Sequence, residues 1–510
     1  MKRVKLIFIN LVVLTATALL LRTASMAFQV YLSNKIGAEG IGLFQLIMSV
    51  YFLAVTFAVA GVRLAVTRLV AEELGKGNSA GAKRALGICL RYSLTLSLLL
   101  SLLLFFGAEY IGINWLSDRR TILSLRLLSL TLPFLAASSV YGGYFTAVRR
   151  AAKAAAIQVG EQFIRIPATI LLLIYFSPAD LESAAAAVVI GAVLGELASF
   201  LMLFIAYRLD SRRYKNGPPA PSNLYSRMSA IILPVAVSAY ITSGLRTLQQ
   251  LLVPAGLKKS GASGSAALAT YGVIHGMVLP ILMFPAAFLY AVSDLIIPEL
   301  AECQATGSKN RLNYIANRVL NLSMLSSMLV MCIFFRYSHE LGILIYSSDE
   351  AAYFLRILAP LIIILYMDSI VDGMLKGIGE QVRSMLYNIF ESSLSVLLIY
   401  FLLPRFAING YIFTVFIART LNFVLSIRRL AKVAEIQVNF NLLLKAVFAM
   451  LNSVILTNLF FYALGDLITV SLTWLSAQII CTSLLFYILL WALGCITQEE
   501  LHWFKSIFSR

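Results

Sequence analysis

Runs of about twenty apolar residues recur along nearly the whole chain, and this is the length that a helix needs to cross a bilayer core of roughly 30 Å. Hydrophobic residues fill 60% of the 510 positions and charged residues only 13%. Soluble domains carry about 25% charged residues. Because lipid offers no partner to backbone polar groups, such runs fold as helices. The sequence predicts an all-α polytopic membrane protein with about fourteen transmembrane helices.

Basic residues concentrate in every second segment between the predicted spans. Arg149 and Arg150 lie in one such segment, whereas segments 177–183 and 465–468 on the opposite side contain no basic residue. The positive-inside rule makes the basic set cytoplasmic and places both termini in the cytoplasm. The net charge of +17 then reflects topology and contact with anionic membrane lipids. Nucleic-acid binding is not implied.

A charged, proline-containing segment suggests how the chain is divided. Residues 210–223, DSRRYKNGPPAPSN, follow the sixth predicted span and contain three prolines. We predict an N-terminal lobe of six spans at 1–209, this cytoplasmic linker, and a C-terminal lobe of six spans at 224–435. Two further spans and a cytoplasmic tail occupy 436–510.

A weak internal repeat supports two lobes of the same orientation. A shift of 230 residues pairs Gly42 with Gly272, Glu72 with Glu302, Gly77 with Gly307, Gly143 with Gly373 and Glu161 with Glu391. Six spans separate the members of each pair, so matched spans cross the membrane in the same direction. This pattern predicts a parallel pseudo-twofold repeat, with the two C-terminal helices outside it.

Three glycine-containing stretches carry a family resemblance. They are GGYFTAVRRAAKAAAIQVGEQFIR at 142–165, IGAEGIGLFQL at 36–46 and LPRFAINGY at 403–411. They resemble the polysaccharide-transport branch of the multidrug/oligosaccharidyl-lipid/polysaccharide exporter superfamily, and within it the stage V sporulation protein B group. The sequence is also similar to the related lipid II flippase.

The resemblance implies a flippase of the bacterial cytoplasmic membrane. Its expected substrate is an undecaprenyl-diphosphate-linked saccharide, such as a peptidoglycan precursor or a related lipid-linked oligosaccharide, moved from the inner to the outer leaflet by alternating access. Cell-wall or spore-cortex synthesis is the implied role, and the cell-wall synthesis machinery is a candidate partner. No cofactor is expected, and the driving force is open between membrane potential, H⁺ and Na⁺.

The resemblance transfers one substrate-contacting residue, Arg22. The lipid II flippase has an arginine in its first helix before a Gly-Ala-Gly turn, and Arg22 has the same spacing before Gly37, with Gly-Ala-Glu in place of the turn. A second arginine of that helix is replaced here by Phe28, beside Gln29. This departure weakens lipid II itself as the substrate.

Buried arginines also suit a diphosphate on physical grounds. Arg22 lies about 24 Å into its helix at 1.5 Å per residue, which is too deep for easy snorkelling. A guanidinium forms bidentate, charge-assisted bonds with phosphate. Arg246, in the outer half of the seventh span, is a second candidate. The alternative for Arg22 is a structural pair with a carboxylate.

Glu161 and Arg165 are four residues apart and share one helix face. An internal salt bridge is one interpretation. The other is that the pair lines a cavity, where Arg165 binds a phosphate and Glu161 a sugar hydroxyl or a proton.

Three carboxylates in the second half are candidates for ion coupling: Asp368, Glu391 and Asp294. A carboxylate at membrane depth can carry a proton or, with neighbouring oxygens, a cation. Glu391 has Ser395 rather than a basic residue four positions on, so it needs another partner or titrates. Clustered ligands for a structural metal are absent from the sequence, and no metal site is predicted.

Two other classes of function stay open, and a third is rejected. A cation-coupled multidrug exporter would favour carboxylates and aromatic residues over arginines in its cavity. A non-transporting envelope-assembly scaffold would tolerate loss of the buried arginines. An enzyme acting on polyprenyl-linked sugars would need an extensive ordered face outside the bilayer, and the predicted external loops are short, so we predict no enzymatic activity and no catalytic residue.

Overall fold

A computed structural model of the chain describes residues 2–175, 180–211, 223–436, 440–463 and 472–495, and within these ranges it leaves out the side chains of 2–16, 18, 291, 294 and 295. Every regular element in the described ranges is helical, which confirms the predicted all-α fold. Most of the predicted linker, residues 212–222, lies outside the described part.

The first half of the chain forms long helices joined by short turns. In chain order they are α1 (Lys2–Val59), α2 (Val62–Gly75), α3 (Ser79–Tyr110), α4 (Ile122–Ser129), α5 (Leu132–Ala147), α6 (Ala151–Tyr175), α7 (Leu181–Ser211), α8 (Leu224–Lys259) and α9 (Gly264–Gly272). A π-helical segment at Ile111–Trp115 and a 3₁₀ turn at Arg119–Thr121 connect α3 to α4.

The second half continues the same pattern. Its helices are α10 (Leu279–Met283), α11 (Ala286–Ala305), α12 (Lys309–Arg336), α13 (Ser338–Tyr346), α14 (Asp349–Leu358), α15 (Leu361–Gly377), α16 (Gln381–Val433), α17 (Phe440–Ala463) and α18 (Leu472–Ala492). A π-helical segment at Val273–Val278 joins α9 to α10.

Helices α1 and α16 are each too long to be a single span. At 1.5 Å per residue, the 58 residues of α1 and the 53 of α16 would extend well beyond a bilayer core of about 30 Å. Each is interrupted by a residue of left-handed backbone conformation, Gly37 (φ 70°) in α1 and Ala407 (φ 48°) in α16. Each therefore contains two helices that meet at a kink.

The number of spans is bounded by helix length and composition. Among the described residues, ten helical stretches are long and apolar enough to cross a membrane, or up to twelve if each of two bent helix pairs is one span. The bent pairs join residues 119–129 to 132–147 and residues 349–358 to 361–377. The chain is a multi-pass membrane protein, and the count of fourteen stays a prediction.

The chain forms two compact units. One contains Met1–Gly272 and Ser392–Tyr411, and the other contains Val273–Glu391 and Ile412–Arg510. These boundaries follow packing and place α8 and α9 in the first unit. The predicted lobes, with a boundary at 210–223, follow the sequence repeat and stay a prediction.

In the first unit, α8 is held against α1 and α2 along its length. Its first turn carries Arg227, whose guanidinium binds the fully buried carboxylate of Glu73 at 3.1 Å and also binds Glu72. Further along, the Thr247 hydroxyl donates to the carbonyl oxygen of Ser49 at 3.1 Å. Gly61, in the turn between α1 and α2, allows the backbone of Ile232 to approach closely. The start of α8 is therefore fixed to α2 by a buried charge pair.

In the second unit, the last two helices pack on α12. Phe486 and Ala449 are completely buried in this apolar core. A polar ladder accompanies it, because Tyr337 and Thr482 share a hydrogen bond of 2.9 Å and Thr482 reaches Thr457 at 3.2 Å. Helices α17 and α18 are thus attached by specific intramembrane hydrogen bonds as well as by apolar packing.

Candidate functional site

Helices α6 and α7 of the first unit run antiparallel along a seam of small residues on α7. A Cβ on Gly195 would lie 2.8 Å from the Cβ of Arg165, and a Cβ on Gly191 would overlap the Thr169 hydroxyl. Because each glycine lacks a side chain, the two backbones approach closely at these points. The seam therefore fixes the base of the Arg165 side chain against α7.

The same seam brings together four polar residues, which we call the α6/α7 cluster: Glu161, Arg165, Glu196 and Ser199. The charges of Glu161, Arg165 and Glu196 lie within electrostatic range of one another, and Ser199 lies against the Glu161 carboxylate. Ser199 is buried, and the three charged residues are partly buried. The cluster thus combines two carboxylates with one guanidinium, and it carries a net charge of −1 when all three are ionised.

No ion pair among the described residues includes Glu161, Arg165 or Glu196. The i,i+4 spacing of Glu161 and Arg165 therefore places the two on one face without joining them in a salt bridge. The guanidinium keeps its donors available for another anion, and this is the geometry that the cavity interpretation requires.

A buried tyrosine lies near the α6/α7 cluster. Tyr51 of α1 is 5% exposed and shares a hydrogen bond of 2.7 Å with Thr131. Its phenolic hydroxyl group lies within electrostatic range of Glu161, Arg165 and Glu196. Sequence reasoning did not select Tyr51 or assign a role to Glu196, although Glu196 stands in an apolar run as Glu161 does.

The other two predicted substrate residues lie on α1 and α8. Arg22 is partly buried in the first half of α1. Arg246 is exposed on α8 beside Thr247, and it takes part in no ion pair within the described residues. The structure therefore brings Glu161 and Arg165 together, with Glu196 as an addition, and places Arg22 and Arg246 on separate helices.

The second unit contains a further polar group, the α15/α16 cluster, formed by Asp368 of α15 and by Asn388, Glu391, Arg419 and Asn422 of α16. Asn422 is 1% exposed. Its amide nitrogen donates to Asp368 Oδ2 at 3.0 Å and to Asn388 Oδ1 at 3.3 Å. Glu391, which is 5% exposed, pairs with Arg419 at 3.6 Å.

Two oxygens of the α15/α16 cluster have no donor among the described residues. They are Asp368 Oδ1 and Asn422 Oδ1, both buried. A buried acceptor without a donor costs about 1–3 kcal/mol, so such pairs in a folded protein commonly mark a place for a proton, a water or a cation. Sequence reasoning selected Asp368 but missed Asn388 and Asn422, because it searched charged residues only.

The other two predicted ion-coupling carboxylates are Glu391, whose partner the structure shows, and Asp294, whose side chain it does not describe. Glu391 has the partner that the sequence left open, Arg419, on a different part of α16. The side chain of Asp294, in α11, lies outside the described residues. Asp372, which the sequence analysis did not select, lies one turn after Asp368 and pairs with Lys376 at 3.0 Å. Within the described part of the chain, no three His, Cys, Asp or Glu side chains are grouped to hold a metal ion.

Two family models match the chain. The model described as polysaccharide biosynthesis protein matches residues 7–291, and the model described as MatE matches residues 259–401. The first match covers more than half of the sequence.

Two curated relatives come from Bacillus subtilis (strain 168). Stage V sporulation protein B is 27% identical over 402 residues, which are 77% of this chain and 77% of that protein. Lipid II flippase MurJ is 23% identical over 334 residues, which are 60% of each chain.

Solved structures show the same fold. A lipid II flippase MurJ in an inward closed conformation gives a TM-score of 0.71 at 14% identity, covering 94% of this chain and 98% of that one. An inward-facing multidrug resistance MATE family transporter of the MOP superfamily gives a TM-score of 0.64 at 15% identity, covering 83% of this chain and 98% of that one. At such identities these neighbours establish the fold alone.

Proposed function

The chain belongs to the polysaccharide biosynthesis protein family of the multidrug/oligosaccharidyl-lipid/polysaccharide (MOP) exporter superfamily, and from this membership we propose that it is a flippase for a polyprenyl-diphosphate-linked saccharide. The saccharide moves from the inner to the outer leaflet of the bacterial cytoplasmic membrane by alternating access. The relatives whose names state an activity are a flippase and transporters, which confirms the prediction that the chain is not an enzyme.

The names of two relatives support the substrate class. One is a lipid II flippase and the other a stage V sporulation protein. A peptidoglycan precursor or a related lipid-linked oligosaccharide, used in cell-wall or spore-cortex synthesis, fits both. The apolar Phe28 in the first helix, where the lipid II flippase resemblance would require an arginine, favours a head group other than lipid II.

Arg165 is the observation that carries the proposal. A charge at membrane depth costs at least about 2.5–3.5 kcal/mol, so its retention needs a compensating role. Glu161 and Glu196 lie within electrostatic range of Arg165, but no ion pair among the described residues includes it, and its base is fixed by Gly195. We assign it, with Arg22 and Arg246, to the diphosphate, and we assign Glu161 to a sugar hydroxyl.

The α15/α16 cluster supports coupling to a proton or a small cation such as Na⁺. Asp368 supplies the charge, and the unsatisfied oxygens of Asp368 and Asn422 supply ligands that no described donor occupies. Glu391 is neutralised by Arg419 in this arrangement and holds the neighbouring part of α16. Asp294 stays a candidate from the sequence alone.

A cation-coupled multidrug exporter is the second candidate, because the MatE model matches residues 259–401 and a multidrug transporter shares the fold. It predicts that Arg165 is dispensable, since a cationic drug would be repelled by a guanidinium. A non-transporting scaffold predicts that both clusters are dispensable.

The test replaces Arg165 by Ala and by Lys and measures lipid-linked saccharide in the outer leaflet at matched membrane abundance. Arg68→Ala is the control, because Arg68 is 65% exposed on α2 and pairs there with Glu72. A charge-assisted hydrogen bond contributes about 1.5–3 kcal/mol, so Arg165→Ala should lower transport at least about tenfold. Arg165→Lys should retain part of the activity, because it keeps the charge but loses the planar fork.

Normal transport by Arg165→Ala would refute the assignment of the diphosphate. Mass spectrometry of lipids that copurify with the protein separates the candidates, because a polyprenyl diphosphate supports the flippase and a drug-like cation supports the exporter.

Coupling of transport to an ion gradient is tested with Asn422→Leu, which keeps the side-chain size but removes the amide. We expect transport by this variant to lose its dependence on the ion gradient.

A further inference from the structure

Arg149 is an exposed arginine whose backbone has a conformation that suits glycine. It lies in the turn between α5 and α6 with φ 60°, and it is the only charged residue of left-handed conformation in the described part of the chain. A side chain in this conformation brings its Cβ close to the following carbonyl oxygen, a cost that glycine avoids. Strained residues of this kind cluster at functional sites.

The repeat-related turn has glycine at the same place. A shift of 230 residues pairs Arg149 with Gly379, between α15 and α16, which has φ 85°. In each turn the nitrogen of this residue donates to the carbonyl oxygen three positions before it, at 3.1 Å in the first turn and 3.2 Å in the second. Because the two turns have the same backbone hydrogen bond, the turn itself requires no arginine at position 149.

The first turn carries two basic residues outside any described ion pair. Arg150 binds the buried carboxylate of Asp210, near the end of α7. Lys153, three residues further on, is exposed like Arg149, and no ion pair among the described residues includes either of these two. Two positive charges four residues apart are therefore available to an anion outside the described part of the protein.

In the second turn the residue after the glycine is acidic. Glu380 occupies the position that matches Arg150, and it binds both Arg383 at 3.2 Å and Arg429. Arg383 is the repeat counterpart of Lys153. The second turn therefore neutralises its matching basic residue internally, whereas the first turn does not.

Lys153 also begins an exposed apolar stripe of α6. Positions 156, 160, 163, 167, 171 and 174 follow it at helical spacing, and each is apolar or glycine. Phe163 is 70%, Leu171 65% and Ile174 61% exposed. A continuous exposed apolar surface on a membrane-spanning helix marks a contact with lipid chains. The α6/α7 cluster occupies a different face of the same helix.

We propose that the α5–α6 turn binds an anionic phospholipid, with Arg149 and Lys153 on its phosphate and its acyl chains along the apolar stripe of α6. The two cations lead directly into that stripe, which fits a lipid better than a soluble anion or an acidic protein. The turn lies on the side that the distribution of basic residues predicts to be cytoplasmic, so the lipid belongs to the inner leaflet. The α15–α16 turn, neutralised by Glu380, holds no such lipid.

Binding is tested by native mass spectrometry of the purified protein in an uncharged detergent, with phosphatidylglycerol as the probe and phosphatidylcholine as the zwitterionic comparison. Arg149→Gly, Arg149→Asn and Lys153→Gln each remove one positive charge. One basic residue beside an anionic head group changes binding about fivefold, so each variant should bind phosphatidylglycerol about fivefold more weakly. Arg383→Gln is the control, because it removes one charge at the matched turn, where Glu380 already pairs with it.

Thermal unfolding separates a binding role of Arg149 from a structural one. In uncharged detergent without added phospholipid, Arg149→Gly should raise the unfolding temperature, because glycine relieves the left-handed conformation. Added phosphatidylglycerol should then raise the unfolding temperature of the unchanged protein more than that of the variant, since a ligand stabilises the state that binds it. A lower unfolding temperature of Arg149→Gly without phospholipid would show that the arginine supports the fold, and would overturn the assignment.

Equal affinity of Arg149→Asn, Lys153→Gln and Arg383→Gln for phosphatidylglycerol would also overturn the site. The same holds if phosphatidylcholine binds as well as phosphatidylglycerol, or if inorganic phosphate at the same concentration displaces the lipid, because the turn would then not recognise an anionic lipid. If neither variant at position 149 accumulates, Lys153→Gln decides alone, since its exposed side chain makes no described ion pair.

Discussion

Replacing Gly195 by Ala should damage transport far more than it damages folding. The new Cβ would lie 2.8 Å from the Cβ of Arg165, where two carbons need about 3.5–4.0 Å. The α6/α7 seam must therefore open by about 1 Å at the residue that we assign to the diphosphate. Overpacking of this kind costs about 1–3 kcal/mol of unfolding free energy, whereas misplacing a functional group by about 1 Å can lower a rate about 100-fold.

Gly160→Ala is the matched control for this prediction, because it lies on the same helix as Arg165. Its Cβ would meet only the sulfur and methyl end of Met202, at 3.4 Å, and that flexible side chain can move. Both substitutions gain the same helix propensity, about 0.5–1 kcal/mol, so the difference between them isolates the contact with Arg165. Thermal unfolding in detergent measures stability, and outer-leaflet lipid-linked saccharide measures transport.

We expect Gly195→Ala to transport at least about tenfold more slowly than Gly160→Ala, a factor that corresponds to about 1.4 kcal/mol. The prediction compares two proteins at equal membrane abundance. If both variants transport alike while Gly195→Ala is the less stable, the seam is only a packing contact and Arg165 is not positioned by it. That result would remove the structural basis for the diphosphate assignment.

Arg227→Gln should lower the unfolding free energy by about 1–3 kcal/mol, because it leaves the carboxylate of Glu73 buried without the guanidinium of Arg227. The loss stays below that of a fully buried pair, since the Arg227 side chain is 25% exposed. Arg68→Gln, on the exposed surface of α2, should cost less than about 0.5 kcal/mol in the same thermal assay, and equal losses would contradict the buried role. Between α15 and α16, the hydrogen bond from Arg429 holds the pKa of the Glu380 carboxyl below its usual range. The stability that the ionised Glu380 carboxylate contributes should be fully present above about pH 4.3, the pKa of an unperturbed glutamate. It should disappear as the pH falls through the lower pKa of Glu380 in the folded protein, so Glu380→Gln should flatten that part of the pH–stability curve.

The sequence predicts the helical fold and the family because both depend on local features. Long apolar runs require helices in lipid, and the glycine-containing stretches at 36–46 and 142–165 lie in described helices and their turns. The kink inside α16 was not located by the sequence analysis. Its cause, a left-handed backbone at Ala407 three residues after Pro404, needs coordinates to be seen.

The partners of buried groups could not be predicted, because they lie on distant parts of the chain. Glu391 pairs with Arg419, which no residue spacing indicates. The amide of Asn422 joins Asp368 and Asn388, and uncharged amides do not stand out in an apolar run as carboxylates do. A search for every polar residue within the predicted spans would have found both asparagines.

The repeat-related glutamates differ in the arginine that lies near each of them. Glu161 and Glu391 occupy matched positions, and each has an arginine nearby. In the first half that arginine is Arg165, one turn further along the same helix, and no described ion pair includes it. In the second half position 395 is a serine, and the guanidinium comes instead from Arg419, beyond the kink of α16, where it binds Glu391 at 3.6 Å.

The difference in partners is consistent with the different ligands that we propose for the two units. Arg419 is engaged with a carboxylate, so the second unit presents no spare guanidinium at this position, and its unsatisfied groups are the oxygens of Asp368 and Asn422. Oxygen acceptors bind protons and cations, whereas a guanidinium without an ion pair binds an anion. Under the proposed function, we therefore expect the matched sites to differ in ligand, with a diphosphate in the first unit and a coupling ion in the second. Combining Arg165→Ser with Ser395→Arg should abolish transport even if the protein remains folded, because the α6/α7 cluster would lose its guanidinium and the added arginine would instead follow Glu391 by one turn.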